Sequence, residues 1–331
     1  MDVASLCPNL TGWMEGAPAN HPLRQIIGAV RASDNSQSVG FVVLTAFNDI
    51  ISALEAVRPA RLPTERQDFQ QVRTFDDLLI VRAELVAAAR LARAGVPFDF
   101  GVRGKAPQPG LVLRNSNLAI EVKAGRLDGL QDLHDELEAE LDAIDADVTV
   151  HIACAERPLY IKPAERRCII DQALGNVTGN PGGILSITLD QPWAATKRLP
   201  LVLQIFPQPP FLAGQRVFIE GGWALAGHLQ DVEAEIIAVL TDEQKPSQAA
   251  SMPTILLVDI ARAGLSWIRP ERIWAQLLAA RLPDDTSFIG VAVMVSRIDN
   301  PTVDFALAMR ANVPERSSAD ARNLARALGL A

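Results

Sequence analysis

The stretch of chain that most constrains the fold runs from residue 75 to residue 154. Its first part, Phe75 to Ala94, places apolar residues at helical spacing and stops at Gly95, which favours a helix end. Three short apolar runs follow, separated by turn-forming residues, at 96–102, 111–113 and 118–122. We therefore predict one helix followed by an antiparallel meander of three strands.

A second helix and a further strand continue this stretch. Residues 130–144 combine many acidic residues with apolar ones on one helical face, namely Leu130, Leu133, Leu137, Leu141 and Ile144. The apolar run from Val148 to Cys154 predicts a buried strand. The order helix, three strands, helix, strand predicts a closed core in which the last strand is central.

Helices precede this core and mixed elements follow it. Residues Val42 to Val57 have helical spacing, so we predict a helical N-terminal extension. After the core we predict helices at 165–174, 229–240 and 271–281, and strands at 183–189, 199–206, 254–259 and 289–295. These later elements either extend the first sheet or form a second lobe. The predicted domains are 1–70 (helical extension), 71–190 (core) and 191–331 (C-terminal α/β extension or second lobe).

Composition excludes several classes of protein. Of the 331 residues, 49% are apolar and 21% are charged, which is typical of folded chains. The three cysteines are far apart and the four histidines show no zinc-ligand spacing, so we expect reduced, buried thiols. We find neither a basic N-terminal segment followed by an apolar run nor a stretch of roughly 18 uncharged apolar residues. These features predict a cytoplasmic protein with no membrane partner.

Charge is distributed unevenly along the chain. The net charge of −8 argues against a protein that coats nucleic acid. From Arg82 to Arg126, however, eight basic residues stand against three acidic ones. From Asp128 to Asp147 there are nine acidic residues and no lysine or arginine. The basic segment either favours a nucleic acid partner or is ordinary surface, and the acidic helix 128–147 offers a surface for a protein partner.

Glu121 and Lys123 are the strongest candidates for chemistry. Side chains alternate along a strand, so both residues project from one side while Ile120 and Val122 project from the other. Burying charge is costly unless the charge is paired or used. Carboxylates can hold Mg²⁺ and a lysine can position the water that attacks a phosphodiester. Glu84, on the preceding helix, is a second acid that either points the same way or pairs with a neighbouring cation.

The order of elements and the Glu-x-Lys spacing over residues 75–155 resemble the PD-(D/E)XK nuclease superfamily. The resemblance implies an α/β, restriction-endonuclease-like mixed sheet flanked by helices. It matches Glu84 to the acid of the helix, Glu121 to the second motif acid and Lys123 to the catalytic lysine. It further implies a Mg²⁺ cofactor held by Glu84 and Glu121, with Lys123 orienting the attacking water.

Gly110 departs from the pattern of this superfamily. Pro109-Gly110 matches the Pro-Asp pair, and the missing aspartate would normally bind the metal. Either Asp99, on the preceding strand, has replaced it as a metal ligand, or the site no longer cleaves. We therefore predict a degenerate nuclease-like protein that binds or cleaves nucleic acid. The alternative is a non-catalytic scaffold that uses this fold to bind a protein partner.

Overall fold

The computed structural model describes residues 2–33, 38–102, 109–124, 129–155, 158, 161–179, 182–190, 198–207, 216–221, 252–261, 270–282 and 288–330. Its contacts divide the chain into two compact units. Met1–Gly125 together with Leu240–Ala331 forms the first unit, and Arg126–Val239 forms the second unit. The second unit is therefore an insertion, because the chain leaves the first unit and later returns to it.

Helices and strands occupy most of the described chain. The helices are α1 (Val3–Leu6), α2 (Pro8–Trp13), α3 (Pro22–Ser33), α4 (Val39–Val57), α5 (Leu62–Gln71), α6 (Phe75–Arg93), α7 (Gly129–Ala143), α8 (Pro163–Gly179), α9 (Glu271–Arg281) and α10 (Glu315–Ala327). The strands are β1 (Phe98–Phe100), β2 (Leu111–Leu113), β3 (Ala119–Lys123), β4 (Thr149–Cys154), β5 (Ile184–Asp190), β6 (Arg198–Phe206), β7 (Val217–Gly221), β8 (Thr254–Asp259), β9 (Phe288–Met294) and β10 (Phe305–Met309).

The first unit contains a mixed sheet with the strand order β1-β2-β3-β8-β9-β10. Strands β1 to β3 form an antiparallel meander, β3, β8 and β9 are parallel, and β10 is antiparallel to β9. Strands β8 and β9 are buried along their whole length, as expected for central parallel strands. The edge shared by the carboxyl ends of these parallel strands is where α/β sheets commonly carry their sites.

The N-terminal helices pack in the same core as this sheet. Ser38 and Thr74 are the N-cap residues of α4 and α6. Their side-chain oxygens accept hydrogen bonds from the backbone N–H groups of Phe41 and Asp77, respectively. Apolar residues of α1 to α6 then share one hydrophobic core with β1, β2, β3, β8 and β9. Residues 1–70 are helical, as predicted, but they belong to the first unit rather than forming a separate extension.

The second unit has its own sheet, with the order β5-β6-β4-β7. Strands β4, β5 and β6 are antiparallel neighbours, and β7 is parallel to β4. Leu130, Leu133, Leu137 and Leu141 of α7 are fully buried against this sheet, together with Ile169, Ile170 and Ala173 of α8. This separate core explains why residues 126–239 form a unit of their own.

The structure confirms an α/β chain with mixed sheets and flanking helices, and it corrects the predicted grouping. Helix α6 and the meander lie where the sequence places them. Strand β4 also forms, but the prediction that it is central in the same sheet as β3 is wrong, because it pairs with β6 and β7. The strand parallel to β3 is β8. The predicted boundary at residue 190 falls inside the second unit, and the helix predicted at 229–240 lies outside the described residues.

Two smaller expectations are also modified by the structure. Cys7 and Cys154 are buried, but Cys168 is exposed. Among the described residues, α4 is long and apolar enough to cross a membrane by length and composition. Its residues Leu44, Phe47 and Ile50 are fully buried in the core of the first unit, and a core helix passes the same test.

Candidate functional site

Glu121 lies in the middle of the first sheet. Strand β3 pairs with β2 on one side and with β8 on the other, and Glu121 is opposite Leu256 of β8. Only 3% of Glu121 is exposed. A buried carboxylate needs a partner, because a buried charge without one lowers the stability of the fold by about 3 kcal/mol or more. Part of this need is met by the backbone N–H of Gly110, which donates to Glu121 Oε2 at 2.9 Å.

Position 110 is the point at which two carboxylates meet. A Cβ atom on Gly110 would lie 2.7 Å from Glu84 Oε1 and 3.9 Å from Glu121 Oε2. The register explains this arrangement, since Leu111 pairs with Ile120 and Gly110 is therefore next to Glu121 at the start of β2. Helix α6 brings Glu84 to the same place. We call Glu84 and Glu121 the carboxylate pair; of the two alternatives that the sequence left open for Glu84, this is the one in which it points toward Glu121.

Lys123 ends strand β3, two residues after Glu121. Alternation along the strand places both side chains on the same face of the sheet. Lys123 is half-buried, as is Glu84. The carboxylate pair and this ammonium group thus combine two oxygen donors with a nearby positive charge, which is the chemistry that binding a cation or a phosphate requires.

Asp99, the candidate for the third acid, has hydrogen-bond partners of its own. Its carboxylate accepts hydrogen bonds from Arg114 Nε at 2.9 Å and from the backbone N–H of Ala60 at 2.7 Å. The hydrogen bond from Arg114 is the main reason that the pKa of Asp99 is lowered. Asp99 also sits on β1, two strands away from β3. The Asp99 carboxylate is therefore already paired, and within the described ranges it does not join Glu84 and Glu121 in a group that could hold a metal, so its role as the replacement ligand stays a prediction.

Most described arginines of the basic segment serve the fold. Arg82 Nη2 donates to the backbone oxygen of Asn300 at 2.8 Å, and Arg90 Nη2 donates to that of Leu328 at 2.5 Å. Arg93 Nη1 donates to the backbone oxygen of Pro301 at 2.6 Å, while Arg114 pairs with Asp99. Arg103, Lys105 and Arg126 lie outside the described residues. Among the described cations of the segment, Lys123 is the one that shares a strand face with Glu121.

A second polar cluster, which the sequence did not single out, lies at the carboxyl end of β8. Asp259 is 3% exposed and accepts hydrogen bonds from the backbone N–H groups of Ala261 (3.0 Å) and Ser296 (3.2 Å) and from the Ser296 hydroxyl. Burial raises the pKa of Asp259. Burial also lowers the pKa of Arg82 to about 10, and the negative charge of Asp259 opposes that shift. The sequence feature that could have pointed to this cluster is an aspartate, Asp259, at the end of a mostly apolar strand.

The carboxylate pair fits a divalent cation only in part. Mg²⁺ is commonly bound by one or two carboxylates, with water and substrate phosphate completing its six ligands. Glu84 and Glu121 are the residues that would hold it. Within the described ranges, no group of three or more His, Cys, Asp or Glu side chains is placed to hold a metal. Among the described residues, Glu84 and Glu121 are thus the two carboxylates available to a cation at this point.

Comparison of the chain with family models, with curated proteins and with solved structures found no match. The functional conclusion therefore depends on the geometry of the residues described above. The convergence of Glu84 and Glu121 beside Gly110 is its main support.

Proposed function

We propose that this protein is a degenerate PD-(D/E)XK nuclease-like protein that binds nucleic acid and whose hydrolytic activity has lapsed. One observation carries the proposal: Glu84 and Glu121 come within 4 Å of the point that a side chain at position 110 would occupy. That position is where the superfamily resemblance calls for a metal-binding aspartate. A glycine there leaves two of the three expected acids in place and removes the third.

The order of elements around the site supports the same proposal. Helix α6 carries Glu84, the meander follows, and β3 carries Glu121 and Lys123. The strand that completes the core beside β3 is β8, which is parallel to it. In this proposal the connection between those two strands has been enlarged by the second unit. The restriction-endonuclease-like core then belongs to the first unit alone.

The chemistry of the site follows from its donors. Mg²⁺, when bound, would activate water and offset charge on the phosphate. Glu84 and Glu121 would hold the cation, and Lys123 would position a water or a phosphate oxygen. Without an aspartate at position 110, we expect weak metal binding and little or no cleavage.

The distribution of charge favours the first unit as the part that binds nucleic acid. The first unit contains 23 basic and 22 acidic residues, whereas the second contains 8 basic and 17 acidic residues. Binding to nucleic acid derives much of its affinity from cations that neutralise phosphates. The nearly balanced first unit, with Lys123 at its site, is the part of the chain that can meet this requirement.

The test combines metal binding, nucleic acid binding and cleavage in matched variants. We expect the wild type to bind single- or double-stranded DNA or RNA in a salt-sensitive manner, without cleaving it and with little thermal shift in Mn²⁺. Gly110→Asp should gain a clear Mn²⁺ shift, which Glu121→Ala added to it should abolish. Only the end of the flexible Glu84 side chain has to move to admit the new residue. Glu15→Gln, an acid whose side chain is 77% exposed, is the control.

Two outcomes would contradict this proposal. Cleavage by the wild type that disappears in Glu121→Ala and Lys123→Ala would show an active enzyme with another acid in place of the missing one. The absence of nucleic acid binding at low salt, together with no Mn²⁺ shift in Gly110→Asp, would remove the nuclease-like interpretation altogether.

The alternative, a scaffold that binds a protein through the acidic helix 128–147, receives less support. Arg166 Nη2 lies 2.8 Å from Glu136 Oε1, and Arg216 pairs with Asp142 and Asp145. Glu138 accepts hydrogen bonds from the backbone of Val217 (2.6 Å) and of Arg216 (2.7 Å). Many acids of α7 therefore stabilise the second unit itself instead of forming an open docking surface.

A further inference from the structure

The sheet of the second unit has two different faces. Val150 and Ile152 of β4 point into the core formed with α7 and α8. His151 and Ala153, which alternate with them, point to the opposite face. Both described helices of the second unit pack on the core side of the sheet, because their buried leucines and isoleucines belong to that core. On the opposite face, His151, Phe206 and Phe218 are half-buried, and Ile184, Ser186 and Thr188 of β5 are exposed.

Three rings form a cluster on this opposite face. His151 lies directly across from Phe218 of β7 and diagonally across from Phe206 of β6. The ring centroid of His151 is 5.0 Å from that of Phe206 and 5.3 Å from that of Phe218. Each of the three side chains is only half-buried. We call His151, Phe206 and Phe218 the aromatic cluster.

A carboxylate stands beside the aromatic cluster. Glu220 is two residues after Phe218 on the same strand face, and it accepts a hydrogen bond from His151 Nδ1. The Glu220 side chain is 56% exposed, so solvent and a ligand can reach it. Aromatic faces next to a carboxylate form an environment that suits a cationic side chain, because ring faces attract positive charge.

The charge of the second unit selects the class of partner. With 17 acidic and 8 basic residues, this unit repels nucleic acid and attracts cations. Arginine suits the aromatic cluster better than lysine does, because its planar guanidinium can stack on a ring while it hydrogen-bonds to a carboxylate. A positively charged partner thus complements both the aromatic cluster with Glu220 and the net negative charge of the second unit.

We propose that the aromatic cluster and Glu220 form a docking site for an arginine-rich segment of a partner protein. A guanidinium group stacks on Phe218 or Phe206 and donates to Glu220, while further arginines of the segment are attracted by the acidic unit. This docking site is independent of the proposed nucleic acid function, because its residues lie in the second unit and the carboxylate pair lies in the first.

The test measures binding of a labelled peptide of alternating arginine and alanine to the full chain by fluorescence anisotropy. We expect binding at low salt that Phe218→Leu and Glu220→Gln each weaken by about three- to tenfold. Leucine keeps the side chain apolar but removes the ring. Thr188→Ala is the matched control, since Thr188 is exposed on the same face, in β5, outside the cluster. Circular dichroism of each variant establishes that the fold is retained.

Three results would overturn the docking site. The first is no binding of the arginine peptide by the wild type. The second is binding that Phe218→Leu, Phe206→Leu and Glu220→Gln leave unchanged, which would mean non-specific attraction by the acidic unit. The third is tighter binding of single-stranded RNA than of the peptide, lost in Phe218→Leu, which would make the cluster a base-stacking surface.

Discussion

At the scale of single residues, the core of the first unit contains a histidine whose protonation state is fixed by two hydrogen bonds. The backbone N–H of Leu23 must donate to His21 Nδ1, at 3.2 Å. The proton of the ring therefore sits on Nε2, which donates to the backbone oxygen of Phe69 at 2.9 Å. Adding a second proton would break the bond from Leu23. His21 thus belongs to the packing of the helices and has no part in the candidate site.

This geometry predicts a pH dependence of stability. Burial lowers the pKa of His21 below its usual value of about 6.5. The unfolded chain then binds a proton more readily than the folded one, so the contribution of His21 to stability is present above about pH 6.5 and is lost as the pH falls. We expect the free energy of unfolding in urea to decrease from about pH 7.5 to about pH 5.5, and to decrease less in His21→Gln.

His134 provides the control with the opposite sign. Its pKa is raised, mainly by the hydrogen bond with Asp135. The stability that it contributes is present below the unfolded pKa and is lost as the pH rises through the folded pKa. His134→Gln should therefore steepen the loss of stability at low pH. A His21→Gln variant with the same pH profile as the wild type would contradict the role assigned to His21.

The site shows what sequence can predict about individual residues. The residues alone left open whether Glu84 points toward Glu121, and only the superfamily resemblance placed Glu84, Gly110 and Glu121 at one site; in the structure these three residues lie close together. The pairing of Asp99 with Arg114 was not predicted, since it depends on side-chain direction at the edge of the meander. The interaction between Arg82 and Asp259 joins residues far apart in sequence, and no local pattern signals it.

At the scale of elements, Arg216 connects β7 to the end of α7. Its side chain is 11% exposed, and it donates to the backbone oxygen of Ala146 at 2.8 Å and to Asp145 at 3.0 Å. It also pairs with Asp142. These bonds hold the C-terminal end of the helix against the edge strand of the sheet.

Replacing Arg216 should destabilise the second unit. We expect Arg216→Met to lower the free energy of unfolding by about 2 kcal/mol, because several charge-assisted hydrogen bonds to a mostly buried group are lost. Arg167→Met is the control, since Arg167 is 56% exposed and ion pairs of exposed side chains contribute little to stability. If urea unfolding gave the same decrease in the free energy of unfolding for both variants, the hydrogen bonds of Arg216 would stabilise the unit no more than an exposed ion pair does.

Elements were easier to predict than their partners. Helix α6, the meander and helix α7 follow from local periodicity, and so they were predicted. Local periodicity does not indicate which sheet β4 joins, because a buried apolar strand fits the centre of either sheet. Helix α10 was not predicted, since its fully buried apolar positions are few, with Ala321 and Leu324 the main ones.

At the scale of the whole molecule, the two units have separate cores. The second unit buries the residues of α7, α8 and β4 to β7 among themselves, and the first unit buries its six N-terminal helices against its own sheet. Residues 126–239 are long enough for a domain of ordinary size. Each unit therefore has the features of a domain that can fold alone.

We predict that residues 126–239, expressed by themselves, fold cooperatively. A sigmoidal loss of far-ultraviolet circular dichroism with urea is the expected result, because the core of this unit uses none of the first unit's residues. The same fragment with Leu137→Asp, which puts a charge at a fully buried position, is the control and should be unfolded. A gradual, non-cooperative transition of the unmodified fragment would contradict the prediction.

The insertion of the second unit between β3 and β8 has a consequence for how the chain folds during synthesis. These strands are hydrogen-bonded neighbours, yet about 130 residues separate them along the chain. The N-terminal helices and the meander emerge from the ribosome first and cannot complete their sheet until the whole insertion has followed. If the second unit folds in that interval, a compact unit replaces most of the unfolded connection, and less chain entropy is lost when β3 and β8 pair. A mutation that slows folding of the second unit would then delay the first, although no residue of the first unit has changed.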